Sequence, residues 1–356
     1  MKVIVMRVIA IVLCVVIVFG LVALFLKRKG EEGSRDTTRV GNNNKSNIKA
    51  DTIMIEMNES YSATADEYFY HALGLRNEYI SQYGAEIFDY YPELVENILS
   101  EVDSIIIDNA AYSLWGSEVG FALTDEDYEE FEKQIDEMRA YLVENGSTFQ
   151  KHLKENNLNE ELFRTIYLKN IYVNKFLTDY VLVEMPNLEV NDEEIEECIS
   201  KYSILAAKHI LLTEELIDED LLSEDPLENE AALQELAREI LARIDEGEDF
   251  DELMHEYSQD PGLVTNPDGY TFRTGEFVES FEAVTRELEI GEISDIVESE
   301  HGIHIIQRID IDIDTVIKWV QQEKMEQKRI DYEIRLDPKT TEARDSLILL
   351  DMKSVL

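Results

Sequence analysis

The sequence predicts an α+β chain, in which a small antiparallel sheet with surrounding helices comes after a mainly α-helical region, with an N-terminal transmembrane helix ahead of both. Three observations carry this expectation. Val8 to Leu26 is an uncharged apolar run; from residue 51 to 198 apolar residues recur at helical spacing; and near residue 190 the pattern changes. From there the chain reads as strand, helix, helix, a turn-rich loop, helix and two strands, the succession of a compact α+β domain.

The chain has 356 residues, 44% of them hydrophobic, which is enough for two domains with cores of their own. Its net charge is −45, unevenly spread. Residues 1–50 carry nine Lys/Arg against three Asp/Glu, a net of plus six, so residues 51–356 carry −51. A surface of that sign repels a phosphate backbone and excludes a general nucleic-acid binder.

The run Val8–Leu26, at about 1.5 Å per residue, reaches close to the roughly 30 Å of a hydrocarbon core. Residues 1–27 are therefore expected to be a transmembrane anchor. Lys2 and Arg7 precede the run and Lys27, Arg28 and Lys29 come after it, so basic flanks do not set its orientation. Cleavage after Val18-x-Gly20 is the alternative, but it would leave LVALFL exposed. Cys14, inside the run, and Cys198 lie too far apart to suggest a disulfide framework.

Residues 28–50 are Gly, Asn, Ser and charge, a flexible linker. TIMIEMN (52–58) alternates like a short strand, and Thr64 with Glu67 forms a capping-box signature for a helix to about Gln82. Helices are expected at 93–115, at 125–144 behind Thr124 and Asp127, and at 159–183. Tyr61, Tyr68, Phe69, Tyr70, Tyr79, Tyr83, Phe88, Tyr90 and Tyr91 crowd one window, either as a helical core with amphipathic rims or as an adaptable apolar surface. NDEEIEECISKY is then a capped helix, AAKHILL a strand, ENEAALQELAREILARIDEG and DFDELMHEYS two helices, 278–287 another, with strands near 296 and 303. Thr315 to Arg335 is a helix stopped before Pro338. The domains so drawn are 51–198, mainly helical, and 202–310, α+β; the C-terminal helix of 315–356 is expected to pack on the helical domain.

Two histidines stand inside apolar strands. In GIHIIQR, His304 shares a face with Ile306; in KHILL, His209 shares a face with Leu211. Both imidazoles point to covered faces. Strand periodicity alone leaves two readings open, a satisfied core pair and a functional pair.

The blocks AAKHILL, GEDFDELMHEYSQDPG, DGYTFRTGEFVESFEAV and LEIGEISDIVESEHGIHIIQRI, in this order and spacing over about 205–310, resemble the parvulin family of peptidyl-prolyl cis/trans isomerases. The helical region and the final helix resemble membrane-tethered foldases of the PrsA and SurA type, in which the isomerase domain is inserted into a chaperone domain built from both chain ends. The resemblance implies catalytic roles for His209, Asp260 and His304 and an apolar proline cup of Phe272, Phe277 and Phe281. It places Ser299 and His301 near the substrate. Phe277 stands where Met is commoner, and PDGYTF replaces GGDLGxF, so that an apolar wall is missing or supplied by Tyr270. The resemblance further implies unfolded or nascent secreted polypeptides containing Xaa-Pro as partners, and a single-pass location at the cell membrane with the bulk of the chain extracytoplasmic.

No bond need be made in such a reaction. The barrier is the partial double bond of the amide, roughly 18–20 kcal/mol, and a ten-thousand-fold acceleration requires only about 5.4 kcal/mol. Nothing in the sequence suggests a small-molecule cofactor. A metal site from His209, His255, His301 and His304 lacks familiar ligand spacing, and Asp310, Asp312 and Asp314 read as a solvated strand face. The competing function is a membrane-tethered holdase whose parvulin-like domain binds peptides without significant catalysis. Finally, residues 213–230 hold nine carboxylates and no Lys or Arg, where phosphate-preferring parvulins carry a basic cluster.

Overall fold

The computed structural model describes residues 48–58, 61–84, 86–155, 158–216 and 226–349. The expected transmembrane run, most of the linker and residues 217–225 of the acidic stretch lie outside them. Among the described residues no helix is long and apolar enough to cross a membrane. The chain divides into two compact units, one running to Asn187 and resuming at Glu323, the other Leu188–Gln322.

In the first unit, β1 (Ile53–Glu56) lies between β2 (Ser62–Thr64) and β7 (Lys339–Thr340), both antiparallel to it. Met54, Ile55 and Ala63 from this small sheet share a core with Tyr68, Ile98, Leu99, Val102, Ile106 and Leu347. The Tyr68 hydroxyl donates to the Leu99 carbonyl and to Asp103, which also holds Arg344. Of the aromatic window, Tyr68 is therefore core, whereas Tyr83, Tyr90 and Tyr91 are exposed.

The helix Ala65–Tyr83 begins where expected, but Thr64 and Glu67 do not form a capping box. Thr64 Oγ1 donates to Asp66 instead, and the Glu67 carboxylate is drawn off by Lys169 Nζ at 2.8 Å. A tertiary ion pair has outcompeted a local cap. At Asp125–Glu144 the box does form, with the Asp127 N–H donating to Thr124 Oγ1 and the Thr124 N–H to Asp127. This helix buries Phe131, Ile135, Met138 and Leu142, one residue per turn, against Phe149, Leu153, Phe163 and Tyr167. The helix Glu160–Lys175 continues through a π-helical segment, Phe176–Val181, which faces its aromatic rings to Trp115 and Phe121. Buried Arg329 is neutralised by Asp108, Glu326 and Glu333.

The second unit is built on a four-stranded antiparallel sheet in the order β4 (Tyr270–Phe272), β3 (Leu205–Leu212), β6 (Gly302–Arg308), β5 (Val297–Ser299). Alternation sorts its side chains onto two covered faces. Ile210, Leu212, Ile303 and Ile305 pack under the helices Pro226–Asp245 and Phe250–Tyr257. Leu205, Ala207, Phe272, Val297 and Ile306 pack with Phe281 of the helix Glu279–Glu287.

This unit is wider than the expected 202–310. Cys198 and its neighbours on the helix Asp192–Tyr202 bury against Ile204 and against Val316, Trp319 and Val320, the first turns of the helix Ile313–Leu336. The strand face expected for Asp310, Asp312 and Asp314 does not form, because β6 ends at Arg308. Asp312 instead accepts from the Asp314 N–H and the Thr315 hydroxyl at the start of that last helix.

Candidate active site

The register of β3 and β6 brings the histidines together. His209 is paired with Ile306 and His304 with Leu211, which makes the two imidazoles diagonal neighbours on one face. Their ring centroids are 5.2 Å apart, edge to face, and both rings stand on the Phe281 ring, at 5.1 and 5.7 Å. Both are buried.

Asp260 reaches this pair from the loop after Phe250–Tyr257. Its Oδ1 accepts from the Gly262 N–H at 2.9 Å, the turn geometry that QDPG encodes. Its Oδ2 accepts from the Tyr270 hydroxyl. His209 Nε2 comes within 3.2 Å of the same oxygen, outside the angular range of an aligned hydrogen bond. Burial pulls the Asp260 carboxyl upward, but His209, Tyr270 and the Gly262 N–H outweigh it and hold the group down to about 2. Burial and the Asp260 charge push the Tyr270 phenol up.

On the other side, His304 Nε2 meets Ser299 Oγ at 2.7 Å, and that hydroxyl accepts from the His301 N–H at 3.1 Å. Gly302 makes this tight β5–β6 turn, with φ at 128° and no room for a Cβ, which would lie 2.3 Å from the Leu212 carbonyl oxygen. Burial pushes the His304 imidazole down to about 4, helped by repulsion from His209 and His301 and opposed by Asp260. Of the four ring nitrogens, only His304 Nε2 has an aligned protein partner among the described residues. Buried polar atoms without a protein partner are costly unless a further group satisfies them.

The aromatic cup is contiguous. Phe277 lies 4.5 Å from Phe272, 4.9 Å from Phe281 in a near-parallel stack, and 5.3 Å from Tyr270. Phe272 and Phe281 are fully buried while Phe277 is only partly covered, so Phe277 supplies an open rim. The His301 side chain is exposed on the hairpin turn and joins none of these ring contacts. Tyr270 both lines the cup and bonds to the carboxylate.

Residues 209–310 match the rotamase family described as PPIC-type PPIASE domain. This part of the chain is a parvulin-type peptidyl-prolyl isomerase domain. "Foldase protein PrsA" of Geobacillus kaustophilus is 26% identical over 269 residues, covering 74% of this chain and 79% of that protein. "Foldase protein PrsA" of Oceanobacillus iheyensis is 32% identical over 169 residues, 45% of this chain and 50% of that protein. This chain thus spans about four fifths of one such curated relative and half of the other. A solved structure of PrsA from Bacillus subtilis covers 85% of this chain, and the match takes in 91% of that chain, at 18% identity and a TM-score of 0.28.

Three residues that shape the parvulin site escape a reading of its motifs. Glu282 is buried and accepts from the Gly275 and Phe277 N–H groups, at 2.7 and 3.0 Å, which fixes the loop that presents Phe277. Ser258 Oγ accepts from the Leu211 N–H and donates to the His209 carbonyl, joining the Asp260 loop to β3. Ser294 Oγ accepts from the Ile306 N–H in place of a strand partner. The signals available were a carboxylate on the apolar face of a short helix and a serine just ahead of a turn.

Proposed function

We propose that the chain is a foldase whose parvulin domain isomerises Xaa-Pro bonds in unfolded or translocated polypeptides, without covalent chemistry. The observation that carries this reading is the pair of buried, mostly unpartnered imidazoles beside an ionised Asp260 at the edge of the Phe272–Phe277–Phe281 cup. The proline ring occupies the cup and the reacting amide lies over the His209–Asp260–His304 group. A planar amide is more dipolar than a twisted one, so removing water favours the twisted state. The negative charge of Asp260 opposes build-up of charge on the amide oxygen and weakens the double-bond character of C–N. Neutral His304, held by Ser299, keeps the floor polar without adding charge. The apolar run 8–26 supports a membrane anchor, and the resemblance to membrane-tethered foldases, not the run, supports an extracytoplasmic placement of the bulk of the chain.

The test is a protease-coupled assay on an Ala-Pro peptide with the whole chain. The wild type should exceed the uncatalysed rate clearly, His304→Ala should lose most of the gain, and Asp260→Ala should lower it with the fold intact. A wild type that binds the peptide but leaves the rate unchanged would establish the holdase reading instead.

A further inference from the structure

Tyr270 occupies a place that the sequence assigns to a wall, yet its most specific contact is polar. It sits in edge strand β4 opposite Ala207, with its ring against Phe277 and its hydroxyl on Asp260 Oδ2. Asp260 Oδ1 is taken by the Gly262 N–H, and His209 Nε2 stands 3.2 Å from Oδ2. The approach is built on both sides. A Cβ at Gly262 would come 2.1 Å from the Tyr270 hydroxyl oxygen, so only glycine at 262 admits the phenol. The groups facing the carboxylate are therefore Tyr270 from β4, His209 from β3 with His304 of β6 behind it, and the Gly262 N–H of its own loop.

From this geometry we infer that Tyr270 is a positioning residue, which acts on the reaction through Asp260 by holding Oδ2 toward His209. A carboxylate with both oxygens committed cannot turn into the cup and does not act as a proton donor to the amide. Its contribution is a fixed negative charge, which requires no reorganisation as the amide twists. Removing the hydroxyl should release Oδ2, let the carboxyl rotate, and move its titration upward, since a hydrogen bond to the charged form is lost.

The inference rests on the isomerase reading of this site, and the experiment separates the two. Tyr270→Phe keeps the ring against Phe277. It should lower kcat for an Ala-Pro peptide by about tenfold with KM nearly unchanged, as expected for one lost charge-assisted hydrogen bond. Carbon-13 NMR of the Asp260 carboxyl should show its titration displaced upward in the variant. In an Asp260→Asn background, Tyr270→Phe should cost little more. An Asp260 titration unchanged by Tyr270→Phe, a loss confined to KM, or an equal loss in the Asp260→Asn background would leave Tyr270 as a wall only. A wild type without isomerase activity would refute the isomerase reading, while the carboxyl titration would still decide the Tyr270 contact.

Discussion

Burial pushes the imidazoles of His71 and His304 down to about 4, each in a different unit of the chain. For His71, nearby Glu67 opposes the burial effect and Lys169 adds to it. In the unfolded chain both titrate near their ordinary value of about 6.5. Between about 6.5 and 4 the unfolded state therefore binds more protons than the folded one, and stability falls as pH drops across that window. Asp260, held down to about 2, works at lower pH, where its stabilisation is lost as pH falls from about 4 toward 2. The two effects are separable. We expect His71→Leu to reduce the difference in urea midpoint between pH 7 and pH 4.5, with the surface carboxylates cancelling in the comparison with wild type. An identical pH slope in both proteins would show that His71 is not protonated on unfolding. At this scale the sequence was legible where a residue breaks a pattern, as the histidines break β3 and β6. It was not legible for Tyr270, because a tyrosine fits an apolar wall equally well and its partner lies ten positions away on another segment.

Single elements reach the site through their ends and turns. The helix Glu279–Glu287 presents Phe281 to the imidazoles and, from the next position, turns Glu282 back on the loop that carries Phe277. One carboxylate oxygen accepts two backbone N–H groups there, so the clamp needs an acceptor more than a charge. Glu282→Gln should keep an acceptor and most activity. Glu282→Ala should leave two N–H groups without their buried acceptor, cost about 1–3 kcal/mol in stability, and weaken peptide binding through a mobile Phe277. Equal kcat/KM and equal unfolding midpoints for Gln and Ala variants would remove Glu282 from this role. Elements with a sustained period, such as Asp125–Glu144 and β3, were legible from sequence. The two-residue β7 was not, since Lys339 and Thr340 have no alternation to show and are strand only because β1 offers them an edge. The Thr64–Glu67 box misled for a related reason, because Lys169, one hundred and two residues away, claims the glutamate.

The whole molecule sets the field in which the cup meets its substrate. Residues 188–322 carry eight Lys/Arg against 38 Asp/Glu. The cations near the sheet are already engaged: Lys208 with Asp251, Arg273 over the rings of Tyr202 and Trp319, Arg286 with Thr274, and Arg308 with the Thr285 carbonyl. Around the cup, Glu276, Glu279 and Glu300 are exposed carboxylates. A phosphate of about −1.5 to −2 brought to this surface meets like charge and no free basic cluster among those cations. A Lys-flanked Xaa-Pro peptide is instead drawn in, by an attraction that decays over roughly 10 Å at 0.1 M salt. We therefore expect kcat/KM to rank Lys-flanked above neutral above phospho-Ser-Pro peptides at about 20 mM salt, and the three values to converge near 500 mM, where the screening length is only a few ångströms. Convergence separates a long-range field from a contact: a dedicated pocket for lysine would keep its preference at high salt, because buried or close pairs are screened much less. A phosphopeptide that outperforms its unmodified version at either salt concentration would mean that a cationic site has been built from residues whose present partners release them.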